Sequence, residues 1–371
     1  MRLPLKVSSA IRARKLIPPG ARVLVALSGG PDSVALLLCL SELARKRDLG
    51  FRLVAAHLNH GLRGTCARRD LDFCRALCVK RSVKLIEGYC ETKKLAAFLK
   101  RSHEESARLV RRCFLSLTAR AQACTHVAVA HHADDRIETV LYRLSRGTGL
   151  AGLEGIGWNG PLTLAGEPDV SEWLVELRAG KPVQSPHPPV LRAAHDATQE
   201  TGVVVRPLLG CRREEVLAYL RSHRQRYCTD ETNFDTRIPR NAIRGMVLPV
   251  LERKVHPGVR AALWRLAEEA SVHAQRRAWR HGWLDGIAAM GTRGFLALPV
   301  SRPGPPPGLD ELAEVLSLLK ARWGVRDLAG NSRHLQALRG LFGVSSAQRY
   351  VLLAGKVVAE RRGQEVWMRR K

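Results

Sequence analysis

Short apolar runs alternate with longer stretches of helical periodicity along the N-terminal two thirds of the chain. Val23–Leu27, Phe51–His57, Val83–Gly88, Val127–Ala130 and Val203–Leu208 have the length and composition of buried strands. Between them, Val34–Arg47, Asp70–Lys80, Glu104–Ala123, Asp135–Arg146 and Arg212–Arg221 carry apolar residues at helical density. Strands that alternate with helices predict an α/β fold with a doubly wound, parallel, five-stranded sheet. Residues 160–202 interrupt the rhythm with Pro, Gly and mixed polarity, and read as a loop or insertion. Residues 260–290 read as helical, and Ser301–Gly308 (SRPGPPPG) as a linker. Helices at Leu309–Arg322 and Ser332–Leu341 and short strands to Lys371 follow. The expected organisation is a catalytic domain over 1–226, a helical region over 227–300 and a small C-terminal region over 301–371.

Composition narrows the partners. The 371 residues include 61 Lys+Arg against 34 Asp+Glu, a formal net charge of +27. Phosphate contacts and counterion release explain such an excess, so nucleic acid is the expected partner. Aromatics are only 5% of the chain, which does not advertise recognition by base stacking. No apolar run is long enough to span a membrane. The nine cysteines are irregularly spaced and include no Cys-x-x-Cys pair. They read as free thiols in a reducing, cytoplasmic compartment. Residues 1–16 are basic but lack the apolar core of a secretory signal.

The first strand runs into Ser28-Gly29-Gly30-Pro31-Asp32-Ser33 and then a helix. That placement gathers backbone amides and a helix N-terminus around one concave spot, where anions bind. Ser28 and Ser33 add hydroxyl donors, and the glycines let the chain approach a phosphate closely. Asp32 would repel bare phosphate, so its expected role is through Mg²⁺. The pattern is not Gly-x-x-x-x-Gly-Lys-Ser/Thr, which disfavours a Walker-type hydrolase. A glycine turn with an N-cap is the bland alternative.

Four further segments fall at strand exits or on the helices beside them. They are His57-Leu58-Asn59-His60-Gly61-Leu62-Arg63, Glu104–Arg112, His131-His132-Ala133-Asp134-Asp135-Arg136-Ile137-Glu138-Thr139, and Arg146-Gly147-Thr148-Gly149-Leu150. Ends of parallel strands are where such sheets bind ligands. Arg108, Arg111 and Arg112 share one helical face. Several acidic groups at a strand exit are costly unless they hold a cation or metal. Each segment alone has an ordinary explanation as a polar strand exit, a solvated basic face or an acidic first helical turn. Catalytic zinc is disfavoured, because the adjacent His131 and His132 cannot both face one way and no His-Glu-x-x-His occurs.

The loop resembles that of the PP-loop ATP pyrophosphatases, whose fold is Rossmann-like. All the segments together, in order, resemble the tRNA(Ile)-lysidine synthetase family within them. Arg206-Pro207-Leu208-Leu209 and the stretch from Asp230 through Arg240-Asn241-Ala242-Ile243-Arg244 agree with the same pattern. The chain departs from it at Arg112, Arg136 and Gly245.

The resemblance implies that ATP adenylates the 2-carbonyl oxygen of the wobble cytidine in the isoleucine tRNA with a CAU anticodon. Free L-lysine then displaces AMP through its ε-amine. It further implies that Ser28, Gly29, Gly30, Pro31, Asp32 and Ser33 hold the pyrophosphate, with Asp32 beside Mg²⁺, and that His57, Asn59, His60, Arg63 and His132 line the ATP site. Arg111, Asp135 and Glu138 are then the lysine-binding and catalytic groups, together with Asp32. Arg237, Arg240, Asn241 and Arg244 form a tRNA-binding stripe, and a homodimer is a reasonable expectation. Two alternatives stay open on the residues: a PP-loop tRNA thiolase, and a non-catalytic RNA-binding relative.

Overall fold

The computed structural model describes residues 3–46, 48–62, 65–162, 168, 170–178, 181–182, 202–229, 239–289, 295–300, 307–323, 332–342, 350–353, 357–363 and 365–370. They divide into two compact units, residues 1–147 with 155–265, and residues 148–154 with 266–371. The expected helical region 227–300 is thus shared between the two units.

Five parallel strands form the core of the first unit. They are β1 (Arg22–Ala26), β2 (Arg52–Asn59), β3 (Lys84–Tyr89), β4 (His126–Ala128) and β8 (Val203–Val205), in the order β8-β4-β1-β2-β3. β1 pairs in parallel with both β2 and β4, so the strand order reverses beside it. Ligands bind at such a reversal, outside the carboxyl ends of the strands. The period of two divides the side chains between two cores. Val23, Val25 and Leu27 pack on one face with helices α1 (Leu3–Ala13) and α2 (Pro31–Ala44). Leu24, Val54, Ala56 and Ile86 pack on the other with α5 (His103–Ala121).

Local chemistry starts these helices where the site needs them. Gly30 is the N-cap of α2 and Pro31 stands at its first position, where a missing N–H costs nothing. α5 begins with a capping box: Ser102 Oγ accepts from Glu105 N at 3.2 Å, and Glu105 Oε2 accepts from Ser102 N at 3.0 Å.

The structure corrects the sequence reading in two places. The 160–202 stretch is not wholly a loop, and the sheet has eight strands rather than five. β5 (Asn159–Pro161) pairs antiparallel with β8 at one edge. β6 (Val175–Arg178) pairs antiparallel with β3 at the other and carries β7 (Lys181–Pro182) beyond it. These strands are too short to show a period, so no alternation announces them. The N-terminal residues also form a core helix, since Leu3, Val7 and Ile11 recur at four-residue spacing and are buried. A short helix α4 (Thr92–Leu99) precedes α5.

After β4 comes α6 (Ala133–Ser145), and after β8 comes α8 (Arg213–Ser222), with the single turn α7 (Leu150–Leu153) between them in the chain. A helical segment then runs through α9 (Pro239–Ala242), a π-helical turn at Ile243–Val247 and α10 (Leu248–Lys254). The long helix α11 (Val259–Ala289) has its first turns, to Arg265, in this unit.

The second unit is an antiparallel sheet of four strands in the order β10-β11-β12-β9. They span Tyr350–Leu353, Val357–Arg362, Glu365–Arg370 and Phe295–Pro299 respectively. Leu312, Leu316 and Leu319 of α12 (Leu309–Trp323) and Leu338 of α13 (Ser332–Gly340) share its core with Val357, Val366 and Met368. Of the expected linker, residues 301–306 lie outside the described residues.

Candidate active site

A cavity of about 600 Å³ opens at the carboxyl ends of β1, β2 and β4. Its first wall is the loop after β1. Ser28 N donates to Ser33 Oγ at 3.2 Å, and Gly30 N donates to Ser28 Oγ at 3.3 Å. Ser33 Oγ donates in turn to Gly30 O at 3.0 Å. The two serines therefore hold the loop's curvature. No side chain caps α2, so its N-terminus is left as an anion site. Gly29 has φ +88°, a left-handed conformation that favours glycine. A Cβ there would lie 3.3 Å from Cys228 Sγ and 3.4 Å from Cys74 Sγ, so the loop rests on a thiol-lined floor. Cys228 N donates to Gly29 O at 2.9 Å and pins it.

Asp32 projects from the first turn of α2 into the cavity. Burial raises its pKa, opposed by the charges of His132 and Arg213. Its Oδ1 has no hydrogen-bond partner among the described residues. Arg213 Nη1 stands 3.5 Å from Asp32 Oδ2.

His132 is the hub of the acidic groups. It is fully buried, with Nε2 3.7 Å from Asp32 Oδ1 and Nδ1 3.7 Å from Asp134 Oδ2 and 3.6 Å from Asp135 Oδ2. Asp134 serves structure. It accepts from Arg213 N at 2.8 Å and from Arg260 Nη1 at 2.7 Å, tying α6 to α8 and α11. Asp135 faces the cavity. Burial pushes its pKa up, but His132, the His132 backbone N–H, His131 and Arg240 outweigh that and hold the carboxyl below its usual range. Glu138 is completely buried and receives both Nε and Nη2 of Arg244, at 2.6 and 3.0 Å. Burial raises its pKa against the pull of that guanidinium.

The remaining walls come from β2 and α5. His57 Nδ1 donates to Leu27 O at 2.9 Å. Burial lowers its pKa despite that bond, so the ring is neutral and offers Nε2 as an acceptor. His60 Nδ1 lies 3.2 Å from Thr92 Oγ1, and Asn59 Oδ1 accepts from Gly61 N at 2.9 Å. Arg111 on α5 lines the cavity and makes no ion pair among the described residues. An unpaired guanidinium on a cavity wall is a receptor for phosphate or carboxylate.

Most residues singled out in the sequence meet here. Ser28, Gly30, Pro31, Asp32, Ser33, His57, Asn59, His60, Arg111, Asp135 and Arg244 all line the one cavity. Gly29, His132 and Glu138 stand behind it as supports. Arg63 and Arg237 lie outside the described residues. The expected open stripe of Arg240 and Arg244 takes a different form, because both turn toward α6. Arg240 Nη2 donates to Thr139 Oγ1 at 2.9 Å, and Arg244 is bound by Glu138 and Asp135. Arg240 stays exposed, whereas Arg244, in the π-helical turn at 243–247, is half-buried. Asn241 is half-buried beside them and off the cavity wall.

His131, Asp70, Phe114 and Arg213 also line the site. Burial lowers the His131 pKa to about 4, against the opposing pull of Asp135. Arg213 follows a parallel strand and opens a helix, the same topological position as Asp32, and that position could have announced it. Asp70 and Phe114 carry no comparable signal in the sequence.

A family model described as a PP-loop domain matches residues 5–251. The tRNA(Ile)-lysidine synthase of Porphyromonas gingivalis is 36% identical over 264 residues, which cover 71% of this chain and 48% of that one. That of Chlorobaculum tepidum is 33% identical over 279 residues, covering 73% of this chain and 71% of that one. The chain thus spans about half the length of the first of these relatives. Among solved structures, a U34-tRNA thiolase from Methanococcus maripaludis shares the fold with a TM-score of 0.50 at 16% identity, over 72% of this chain and 77% of that one. The loop after β1, the cavity it shares with Asp135 and Arg111, and these likenesses lead to one conclusion: the chain belongs to the tRNA(Ile)-lysidine synthase family of PP-loop proteins.

Proposed function

We propose that this chain converts the wobble cytidine of the isoleucine tRNA with a CAU anticodon to lysidine, using ATP and free L-lysine. The observation that carries the reading is the convergence of the Ser28–Ser33 loop, the Arg111 cation and the Asp135 carboxylate on one cavity. The reaction needs an anion cradle, a cation for charged leaving or substrate groups, and a carboxylate for an amine.

In this reading the α2 N-terminus and the loop amides receive the β- and γ-phosphates of ATP. The cytidine 2-carbonyl oxygen attacks the α-phosphorus and pyrophosphate departs. Asp32, with its unpartnered buried oxygen, fits a Mg²⁺ ligand, and that ion would neutralise charge on the pyrophosphate. Arg213, beside Asp32, adds a fixed positive charge to the same end.

Asp135 holds the ε-ammonium of lysine. The amine must lose a proton before it attacks, since its ordinary pKa is about 10.4. Asp135 is ionised and faces the cavity, so it is the carboxylate placed to accept that proton. Glu138 does not reach the cavity wall and acts through Arg244, whose guanidinium does. Arg111 binds the lysine carboxylate or the α-phosphate by a bidentate contact. The amine then adds to C2 of the activated base, AMP leaves with the former carbonyl oxygen, and lysidine remains.

The formal charge of +27 suits an RNA substrate, and the reaction is assigned to the cytoplasm with a homodimer as the working form. Nucleoside mass analysis of the tRNA after incubation with the protein, ATP and lysine tests the proposal. Lysidine should form only when all three are present. Lysine-independent pyrophosphate release with a sulfur donor would point to the thiolase reading instead.

A further inference from the structure

Asp135 is flanked in the chain by two residues that both reach helix α11. On one side, Asp134 Oδ1 accepts from Arg260 Nη1 at 2.7 Å. On the other, the Arg136 guanidinium lies over the ring of Trp264, 4.9 Å from its centroid. Arg260 and Trp264 are four residues apart, so they stand one above the other on the same face of α11. A helix turns about 100° per residue, so positions 134 and 136 leave α6 on either side of position 135. With both tied to α11, the residue between them is turned away from that helix, and Asp135 faces the cavity.

Both points of contact are backed by further packing. Arg136 is fully buried and does not line the cavity. A buried cation needs a partner, and a ring face supplies one, more strongly where water is excluded. Trp264 is held from the side by Trp158, with ring centroids 6.3 Å apart and planes at 88°. Trp158 is fixed in turn, since a Cβ at Gly210 would lie 3.0 Å from its Cη2 and the Arg14 guanidinium stands 5.1 Å from its ring centroid. Arg260 is braced by Glu252, whose Oε1 accepts from Arg260 Nε at 2.7 Å.

We infer that Arg260 and Trp264 are positioning residues: they clamp the first turn of α6 at two points and so fix the direction in which Asp135 presents its carboxylate to lysine. The inference rests on the lysidine reading above. His132 N and Arg244 Nη2 hold the Asp135 carboxylate within the turn, and the clamp holds the turn itself. One anchor alone would let the turn pivot about it, whereas anchors on both sides of residue 135 oppose rotation either way. The phosphate loop is carried by β1 and α2, and Trp264 is not on the cavity wall, so loss of its ring acts on the amine end.

The test is steady-state kinetics of the full chain with lysine and ATP varied in turn. Trp264→Leu removes the ring face and should raise the KM for lysine at least about fivefold, with the KM for ATP within about twofold, because small displacements of a reacting group are costly. Trp264→Phe keeps an aromatic face and should return the lysine KM to within about twofold of the parent. In an Asp135→Asn background, Trp264→Leu should add less than about twofold, since a residue that acts through Asp135 then has nothing left to position. Should Trp264→Leu fold poorly, Arg260→Gln carries the same expectations from the other point of the clamp. Equal shifts for lysine and ATP, an unchanged lysine KM, or a full penalty that persists in the Asp135→Asn background would overturn the inference. Absence of any lysine-dependent product from the unmodified chain would instead remove the lysidine reading, and this inference with it.

Discussion

Arg244 clasps Glu138 with both Nε and Nη2, at 2.6 and 3.0 Å, and the carboxylate it holds is completely buried. The pair joins the π-helical turn after α9 to the middle of α6. It therefore fixes the helix that presents Asp135 to the cavity. Removing one partner leaves the other stranded. Arg244→Ala should cost about 2–3 kcal/mol of stability, less than for a wholly enclosed pair because the arginine side chain is 29% exposed. Adding Glu138→Gln should recover part of that loss. Denaturant unfolding of the single and double variants measures both, and a loss below about 0.5 kcal/mol would show the pair to be incidental.

Asp135 and Glu138 are expected to behave differently toward lysine. Asp135 faces the cavity and Glu138 does not. Asp135→Asn should raise the KM for lysine at least about tenfold, the loss of one charge-assisted contact, with little change in the KM for ATP. Glu138→Gln should have a smaller effect on lysine. Steady-state kinetics with each substrate varied in turn decides this, and equal shifts for lysine and ATP would remove Asp135 from the amine site.

Asp32 bears on the phosphate end alone. Asp32→Ala should abolish pyrophosphate release while tRNA affinity stays within about twofold, since the residue lies inside the cavity and not on an exposed basic surface. A filter-binding titration beside a pyrophosphate assay separates the two. Parallel loss of both would contradict the role.

Stability should depend on pH through Glu215. Burial alone would raise its pKa, but the Arg212 N–H and Lys6 outweigh that and hold the folded-state value below 4.5. A carboxyl whose pKa falls on folding binds more protons when unfolded. Its stabilisation is therefore complete above the unfolded value and fades as pH drops through the lower folded one. Glu215→Gln should cost about 0.5–1 kcal/mol at neutral pH, a modest figure because Lys6 and Glu215 are each about a third exposed. Melting curves should show the gap between variant and parent closing in acid. A gap that persists unchanged to pH 3 would contradict the assignment.

Much of this was legible in the residues. The five buried runs and the helices between them are local patterns, because a strand or helix needs only its own period to declare itself. The loop after β1 was legible too, since Gly30 and Pro31 start a helix in the open whatever surrounds them. Motif order identified the family for a similar reason: chemistry at strand ends keeps its place along the chain.

Other features needed the folded chain. The edge strands β5, β6 and β7 form only where a neighbour offers free backbone groups, and two to four residues cannot carry a period. The spacing of Arg240 and Arg244 suggested a stripe, yet only Arg244 is drawn in by a buried carboxylate, while Arg240 stays exposed and donates to Thr139. Likewise, no sequence distance relates Gly88 to Phe114 or Asp32 to Arg213. Gly88 meets Phe114 because α5 packs on the face of the sheet, and Asp32 meets Arg213 because both open helices that follow parallel strands, so these contacts depend on packing rather than on order in the chain. The sequence by itself thus determined the elements, the phosphate loop and the family. Tertiary structure alone decided which carboxylate faces the cavity and which is locked behind it.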